Sequence, residues 1–254
     1  MHPLLDLHAR PLVGHRGNAA HAPENTLESF RQAVEIGVDA LELDIHVSAD
    51  GHVVVIHDPT LDRTTDGSGR VDRLSLSEIR GVDAGARFTK DRGASRPYLG
   101  KGITVPTLDE VMETFPTVPL LVEIKTKAAS HATRATIERH AAQARCIVAA
   151  FDEDALTPFA GSGIAQGGSR RDTAGLLWRA ALRVPPRRVH FNVLCMPPNH
   201  RGLPLPVGGY VSILAPLGVP VHCWTIDDPR EADRLRRLGV QGIITNDPAA
   251  MARA

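Results

Sequence analysis

Between Ala40 and Asp58 the side chains alternate. Leu41, Leu43, Ile45 and Val47 share one face of an extended chain, and Glu42, Asp44 and His46 share the other. Asp50-Gly51 predicts a two-residue hairpin turn whose central positions both take positive φ. Val53–Ile56 then bring the chain back to His57-Asp58. A turn centred at Asp50-Gly51 sets His57 across from Asp44. Alone, the pattern describes an amphipathic strand with its polar side in water.

The remaining apolar runs set a wider rhythm. Pro11–Val13 predicts a strand entering the loop Gly14-His15-Arg16-Gly17. Leu27, Phe30, Val34 and Val38 then share one helical face, with Asn25 and Glu28 as a capping box and Gly37 as the stop. Further runs lie at Leu120–Ile124, Cys146–Phe151, Gly175–Trp178, His190–Leu194, Val219–Thr225 and Gly242–Thr245. Helix-like segments separate them: 108–115 behind the capping box Thr107/Glu110, 133–145, a short piece after Asp152, 179–184, 210–218 and 228–239.

The hairpin's return arm is antiparallel, because a tight turn cannot make a crossover. Without it, eight strands remain, centred on Leu12, Leu41, Leu120, Ile147, Leu176, Phe191, Val221 and Ile243. Each has a helix-sized connection behind it, the rhythm of a parallel (β/α)8 barrel; a doubly wound open sheet is the alternative. The weakest joints, 155–173 and 179–188, must supply the fourth and fifth helices. Residues 59–104, rich in Gly, Arg and Asp with one helical hint at Ser77–Arg80, break the rhythm. They are expected to form a small loop-rich subdomain, inserted after strand 2 into a single domain spanning 1–254 and serving a site.

Charge narrows the function classes. Twenty-nine basic residues balance 29 acidic ones, and no aromatic-basic interleaving offers stacked bases, which argues against nucleic-acid binding. Cys146, Cys195 and Cys223 form no CxxC pair and are expected as buried apolar groups in a reducing compartment. The amino terminus lacks a basic, apolar leader, and no apolar run approaches the roughly 20 residues that span a bilayer. A cytoplasmic protein without a stable membrane anchor is expected.

Barrel geometry inverts the plain reading of the alternation. Inward side chains near the carboxyl ends of the strands face the site, and outward ones face helices. Glu42 and Asp44 then converge with Glu123 and Lys125 of strand 3, with His15 and Arg16 of strand 1 and with His57 of the hairpin. Three close carboxylates repel one another unless a cation joins them, and an all-oxygen set suits Mg²⁺ or Ca²⁺. Arg16 and Lys125 suit an anionic substrate group, and two histidines can divide acid and base roles in phosphoester cleavage.

His15-Arg16-Gly17, Pro23-Glu24-Asn25-Thr26, Glu42-Leu43-Asp44, His57-Asp58, Arg63-Thr64-Thr65 and Glu123-Ile124-Lys125 together resemble the glycerophosphodiester phosphodiesterase family. The likeness recovers at Pro106-Thr107-Leu108, Phe151-Asp152, Trp224-Thr225 and Gly242–Thr245. The resemblance implies a TIM barrel with an insertion after strand 2, and hydrolysis of a small-molecule glycerophosphodiester to glycerol 3-phosphate and an alcohol. It implies His15 and His57 as acid/base residues, and Glu42, Asp44 and Glu123 as ligands of a divalent cation. Arg16 and Lys125 match positions near the phosphate, and Trp224 an aromatic at the pocket rim. Two departures, Ala150 where the family often has Ser and Thr245-Asn246-Asp247 where it usually has Thr-Asp, bear on substrate preference.

Plainer assignments stand beside these. Asn25 reads as a helix cap, Glu24 as metal support or loop, Trp224 as core, and His46 as a polar hairpin position. Lys125 can pair with Glu123, and Pro197–Arg201 reads as a solvated loop. Rival functions are a lysophospholipase D or sphingomyelinase D-like phosphodiesterase, a metal-free phosphoinositide lyase, and a non-catalytic binding barrel. The three carboxylates oppose the metal-free version, a lipid substrate would want an apolar entrance, and oligomeric state is left open.

Overall fold

A computed structural model describes residues 2–252. Eight parallel staves form its frame: β1 (Leu12–His15), β2 (Ala40–Val47), β3 (Leu120–Ile124), β4 (Cys146–Ala149), β5 (Ala165–Gln166), β6 (Leu194–Met196), β7 (Val221–Cys223) and β8 (Gly242–Thr245). Neighbours in sequence are neighbours in space from β1 to β5 and from β6 to β8, and β8 pairs back onto β1. The last seam closes through a parallel bridge between Gly167 and Val193, with the Gly168 N–H donating to the Val193 carbonyl at 2.8 Å. The sheet is therefore a closed (β/α)8 TIM barrel.

Apolar side chains partition as the alternation requires. Leu41, Leu43 and Ile45, with Leu120, Val122 and Ile124, face outward into a core shared with Phe30, Leu108 and Val111. Val13, Ala40, Leu121, Ile147, Val193 and Ile244 fill the interior together with Leu4, which a short turn at Pro3–Leu5 carries into the amino-terminal end of the barrel. His222 projects into that same interior and bonds the Leu4 carbonyl at 2.9 Å.

His222 is fully buried, and burial holds its pKa down at about 4. An unfolded chain takes up that proton near pH 6.5 and the folded one only near 4. The stability this ring contributes is complete above 6.5 and is lost as pH falls through that window. Urea unfolding at pH 5 should show the loss relative to pH 7.5, and His222→Gln should remove on the order of 2 kcal/mol of it. A variant with an unaltered pH dependence would contradict this.

The helical layer comprises α1 (Leu27–Ile36), α2 (Leu76–Arg80), α3 (Leu108–Thr114), α4 (Ser130–Arg139), α5 (Arg170–Leu182), α6 (Val207–Leu214), α7 (Pro229–Arg237) and α8 (Pro248–Ala252). The capping box predicted at Thr107/Glu110 opens α3, and Asp228 caps α7, whose first residue is Pro229. No helix among the described residues is long and apolar enough to cross a membrane.

Four local expectations are corrected. Gly175–Trp178 is no strand: Ser169 and Asp172 form a capping box that starts α5 at Arg170 and carries Leu176 into a helix. The fifth stave is the two-residue Ala165–Gln166, too short and polar to register as an apolar run. The sixth begins at Leu194, beyond its expected centre at Phe191. Between β4 and β5 two 3-10 turns, Glu153–Ala155 and Thr157–Phe159, replace the expected helix.

The hairpin differs by one residue. The Gly51 N–H bonds the Ser48 carbonyl at 3.0 Å, and only Gly51 of the turn has positive φ, so the loop holds three residues, not two. Pairing consequently runs Ile45 to Val55, and the Ile56 N–H donates to the Asp44 carbonyl at 2.9 Å. Asp44 faces Ile56, and His57 lies one residue further along.

Residues 59–104 contain α2, a 3-10 turn at Val71–Arg73 and otherwise loops. Leu61, Val71, Ile79 and Ala84 pack on Val54 and Ile56, so the segment is seated on the hairpin's return arm.

Candidate active site

Stave register builds the site. Side chains on paired residues of parallel strands point the same way. His15 of β1 pairs with Glu42 of β2, and Asp44 of β2 pairs with Glu123 of β3. Glu123 in turn pairs with Ala149 of β4, whose small side chain leaves room above the sheet. One oxygen each of Glu42, Asp44 and Glu123 lies within 4.8 Å of the others. The carboxylates picked from alternation thus converge at the carboxyl end of three adjoining staves.

The loop after β1 is shaped to reach them. Gly17 has φ 89°, and a Cβ there would lie 2.6 Å from the Ser29 carbonyl carbon, so no other residue fits. Arg16 precedes it at φ 52°, outside the usual range of a side-chain-bearing residue. That turn aims the Arg16 N–H at Glu42 Oε2 (3.0 Å) and its guanidinium at Asp44 Oδ2 (Nε, 3.0 Å) and Glu24 Oε1 (Nη1, 2.8 Å).

Lys125 is 2.8 Å from Asp44 Oδ1 and 2.6 Å from Glu123 Oε1. Arg16 and Lys125 are therefore counter-ions of the carboxylates as well as groups lining the cleft. The pairing of Lys125 with Glu123, the plainer assignment, is present.

The three carboxylates differ electrically. Burial, reinforced by the charges of Asp44 and Glu123, pushes Glu42 well above the ordinary carboxylate range. Burial also raises Glu123, against the pull of Lys125. Asp44 goes the other way: burial opposes ionisation, but Lys125 and Arg16 outweigh it. An all-oxygen set of three converging carboxylates, two of which burial pushes toward protonation, fits a hard divalent cation.

The Nδ1 atom of each histidine is held by a partner. His15 Nδ1 lies 2.7 Å from Asn246 Oδ1. The Asn246 amide donates its own hydrogens to Asp227 Oδ2 (2.8 Å), so its oxygen faces the ring and His15 carries its proton on Nδ1. Nε2, 3.9 Å from Glu42, is left bare toward the cleft. Burial, then the charge of Arg16, keeps this ring neutral. His57 Nδ1 bonds Asp58 Oδ1 at 2.6 Å. Hydrogen bonds from Arg63 and then His57 hold Asp58 down at about 2, so it is an acceptor, and His57 Nε2 is also free. Arg63, from the 59–104 segment, bonds both Asp58 (2.6 Å) and Glu24 (2.7 Å).

Several of these partners were not foreseen. Asn25 was expected to cap α1, but Thr26 does so, accepting from the Ser29 N–H at 3.2 Å. Asn25 instead sits at φ 56° and clamps Asp44 from both sides, donating to Oδ2 (2.8 Å) and accepting from the Asp44 N–H (3.2 Å). Two consecutive cap-competent residues were the available signal, since only one can occupy the cap. Glu24 is tied to Arg16 and Arg63; Asn246, marked in the sequence only as a departure bearing on substrate preference, orients His15, and Asp227 behind it has no local signature. His46 bonds the His57 carbonyl at 3.1 Å, consistent with a hairpin role.

Above the polar centre opens a cleft of about 540 Å³. His15, Arg16, Glu42, His57, Glu123 and Lys125 line one side. Phe151, Ala174, Leu177, Leu205 and Trp224 line the other. Trp224 meets Phe151 edge-on at 6.0 Å and reaches the cleft, so it is not plain core. Cys146 and Cys223 are buried, but Cys195, expected to be, is partly exposed and also lines the cleft. His200 does too, so the Pro197–Arg201 segment is not wholly solvated loop.

Comparison with known proteins places this geometry. The model of the glycerophosphoryl diester phosphodiesterase family matches residues 15–158 and 177–250. A glycerophosphodiester phosphodiesterase of Caldanaerobacter subterraneus subsp. tengcongensis is 32% identical over 94% of this chain and 95% of its own. The glycerophosphoryl diester phosphodiesterase domain of a Mycobacterium tuberculosis protein superimposes with a TM-score of 0.85 at 21% identity, covering 96% of this chain and 98% of that one. An Oleispira antarctica phosphodiesterase, solved in complex with the product sn-glycerol-3-phosphate, gives a TM-score of 0.77 at 26% identity over 96% and 95% of the two chains.

Proposed function

The chain belongs to the glycerophosphoryl diester phosphodiesterase family, and from that premise we propose that it hydrolyses glycerophosphodiesters to glycerol 3-phosphate and an alcohol. The observation that carries this reading is the meeting of Glu42, Asp44 and Glu123 within 4.8 Å beside two histidines whose Nδ1 atoms are held by protein partners and whose Nε2 atoms are left for the substrate. The product-bound Oleispira relative supports the same substrate class. On this reading residues 1–254 form one cytoplasmic domain with 59–104 as an inserted subdomain, which contributes Arg63 to the rim.

Glu42, Asp44 and Glu123 would hold one divalent cation, Mg²⁺ or Ca²⁺, which when bound supplies positive charge to the phosphate oxygens. Arg16 and Lys125 bind and orient the phosphate, and Trp224 covers the substrate at the rim. His15, held neutral, takes the proton of the substrate's free glycerol hydroxyl as that oxygen attacks phosphorus. His57, in its doubly protonated form with Nδ1–H held by Asp58, gives its Nε2 proton to the departing alkoxide. Water then opens the cyclic ester.

A coupled assay for glycerol 3-phosphate on several glycerophosphodiesters tests the reading. Chelation should cost at least about 10²-fold in rate, with recovery on adding Mg²⁺ or Ca²⁺. Absence of product from every diester sinks the function, and indifference to chelator sinks the cation. A substrate whose attacking hydroxyl is blocked should not turn over; full activity on it would establish direct attack by water instead.

A further inference from the structure

Helix α5 is apolar on the wrong side. Leu176 and Ala180 anchor it to the barrel. Ala174, Leu177, Trp178, Ala181 and Leu182 are spaced three and four apart on its opposite, solvent-facing side, a complete second apolar stripe. Trp178 is 53% exposed and Leu182 69%. The hairpin Asn199–Pro204, whose His200 lines the same cleft as Arg170, Ala174 and Leu177 of α5, turns at Arg201-Gly202 and holds Leu203 out at 72% exposure. Isolated exposed apolar residues are ordinary on a protein surface, but a continuous helical stripe is not.

The charge around the stripe is one-sided in a chain with no net charge. Between residues 170 and 188 lie six arginines and a single acidic residue, Asp172. Asp172 closes the helix cap with Ser169 and also lies 3.4 Å from His190. Arg171 pairs with Glu153 at 2.8 Å, and Arg179 stacks over the Trp178 ring at 4.5 Å. Arg183, Arg187 and Arg188 are exposed at the far end of the helix, with no ion pair among the described residues.

The stripe also begins at the cleft, because Arg170, Ala174 and Leu177 are cleft-lining residues. A helix with Trp and Leu on its outer face, bordered by arginines, has the composition of one that lies in a bilayer interface. Anionic headgroups would meet the arginines while the apolar stripe enters the acyl boundary.

We propose that the outer face of α5, together with Leu203 at the tip of the hairpin on the same cleft, is a reversible docking surface for an anionic lipid bilayer, placing the mouth of the cleft at the membrane's edge. The proposal is independent of the hydrolytic assignment, since it concerns where the protein binds and not what it cleaves.

The test is vesicle co-sedimentation of the whole chain, with fluorescence of Trp178 read in a Trp224→Phe background. Vesicles of phosphatidylcholine alone are compared with vesicles that also contain phosphatidylglycerol. Binding and a blue shift are expected only with phosphatidylglycerol, both weakened by salt. Leu182→Asp, and separately the pair Arg187→Glu and Arg188→Glu, should each weaken partitioning at least about tenfold without changing thermal unfolding. Failure to bind either vesicle overturns the proposal, as does binding that both variants leave unchanged. A solution dimer that Leu182→Asp dissociates would assign the face to a second copy of the chain and overturn it equally.

Discussion

His15→Ala is expected to lower kcat about 10³-fold, with KM for a soluble diester little changed and the unfolding midpoint kept. A positioned acid or base contributes roughly 10²–10⁴ to rate. The ring contributes little to packing: it is partly exposed and held chiefly by one hydrogen bond, from Nδ1 to Asn246. Asn246→Ala should show the same effect in weaker form, because without the amide oxygen nothing specifies which nitrogen bears the proton. Its signature is a fall in kcat with an altered pH–rate profile, whereas a purely structural role would lower stability and leave the profile in place. Retention of most activity by His15→Ala in the coupled assay would remove this ring from the chemistry.

What the sequence discloses about this fold and site follows physical range. Strand alternation is local, and it yielded the inward set Glu42, Asp44 and Glu123, which the stave register brings together. Stave β5 escaped because a two-residue strand carrying Gln166 makes no periodic signal, while Leu176, Leu177 and Trp178 do so from within a helix. The hairpin register slipped by one because a three-residue loop with one left-handed glycine and a two-residue loop share the Asp-Gly signature. The roles of Asn246 and Asp227 escaped for another reason: Asn246 holds His15 across a separation of 231 residues, and Asp227 acts only through Asn246. The apolar lining of the cleft comes from Phe151 just beyond β4, from α5, from Leu205 before α6 and from Trp224 just beyond β7, segments far apart in the chain whose meeting no local pattern announces.

Glu42→Gln and Asp44→Asn are both expected to abolish activity, yet to move the stability of the metal-free protein in opposite directions. Glu42 is buried, its charge opposed by burial itself and by the carboxylates of Asp44 and Glu123. Glutamine keeps its shape and can still accept the Arg16 N–H that now reaches Glu42 Oε2 at 3.0 Å, while removing the repulsion. A gain of about 1 kcal/mol is expected. Asp44 is equally buried, but it is the shared counter-ion of Arg16 (3.0 Å) and Lys125 (2.8 Å) and accepts from Asn25 as well. A neutral amide there leaves two buried cations short of a partner, at a cost of about 3 kcal/mol. Urea unfolding in the presence of chelator measures both changes. Adding Mg²⁺ or Ca²⁺ should then raise the wild-type midpoint and leave both variants unmoved, because each lacks one of the three ligands. If the two substitutions shifted metal-free stability in the same direction, the division of labour would fail. Asp44 would no longer be the carboxylate that the protein's own cations hold in place, nor Glu42 the one whose charge awaits a bound ion.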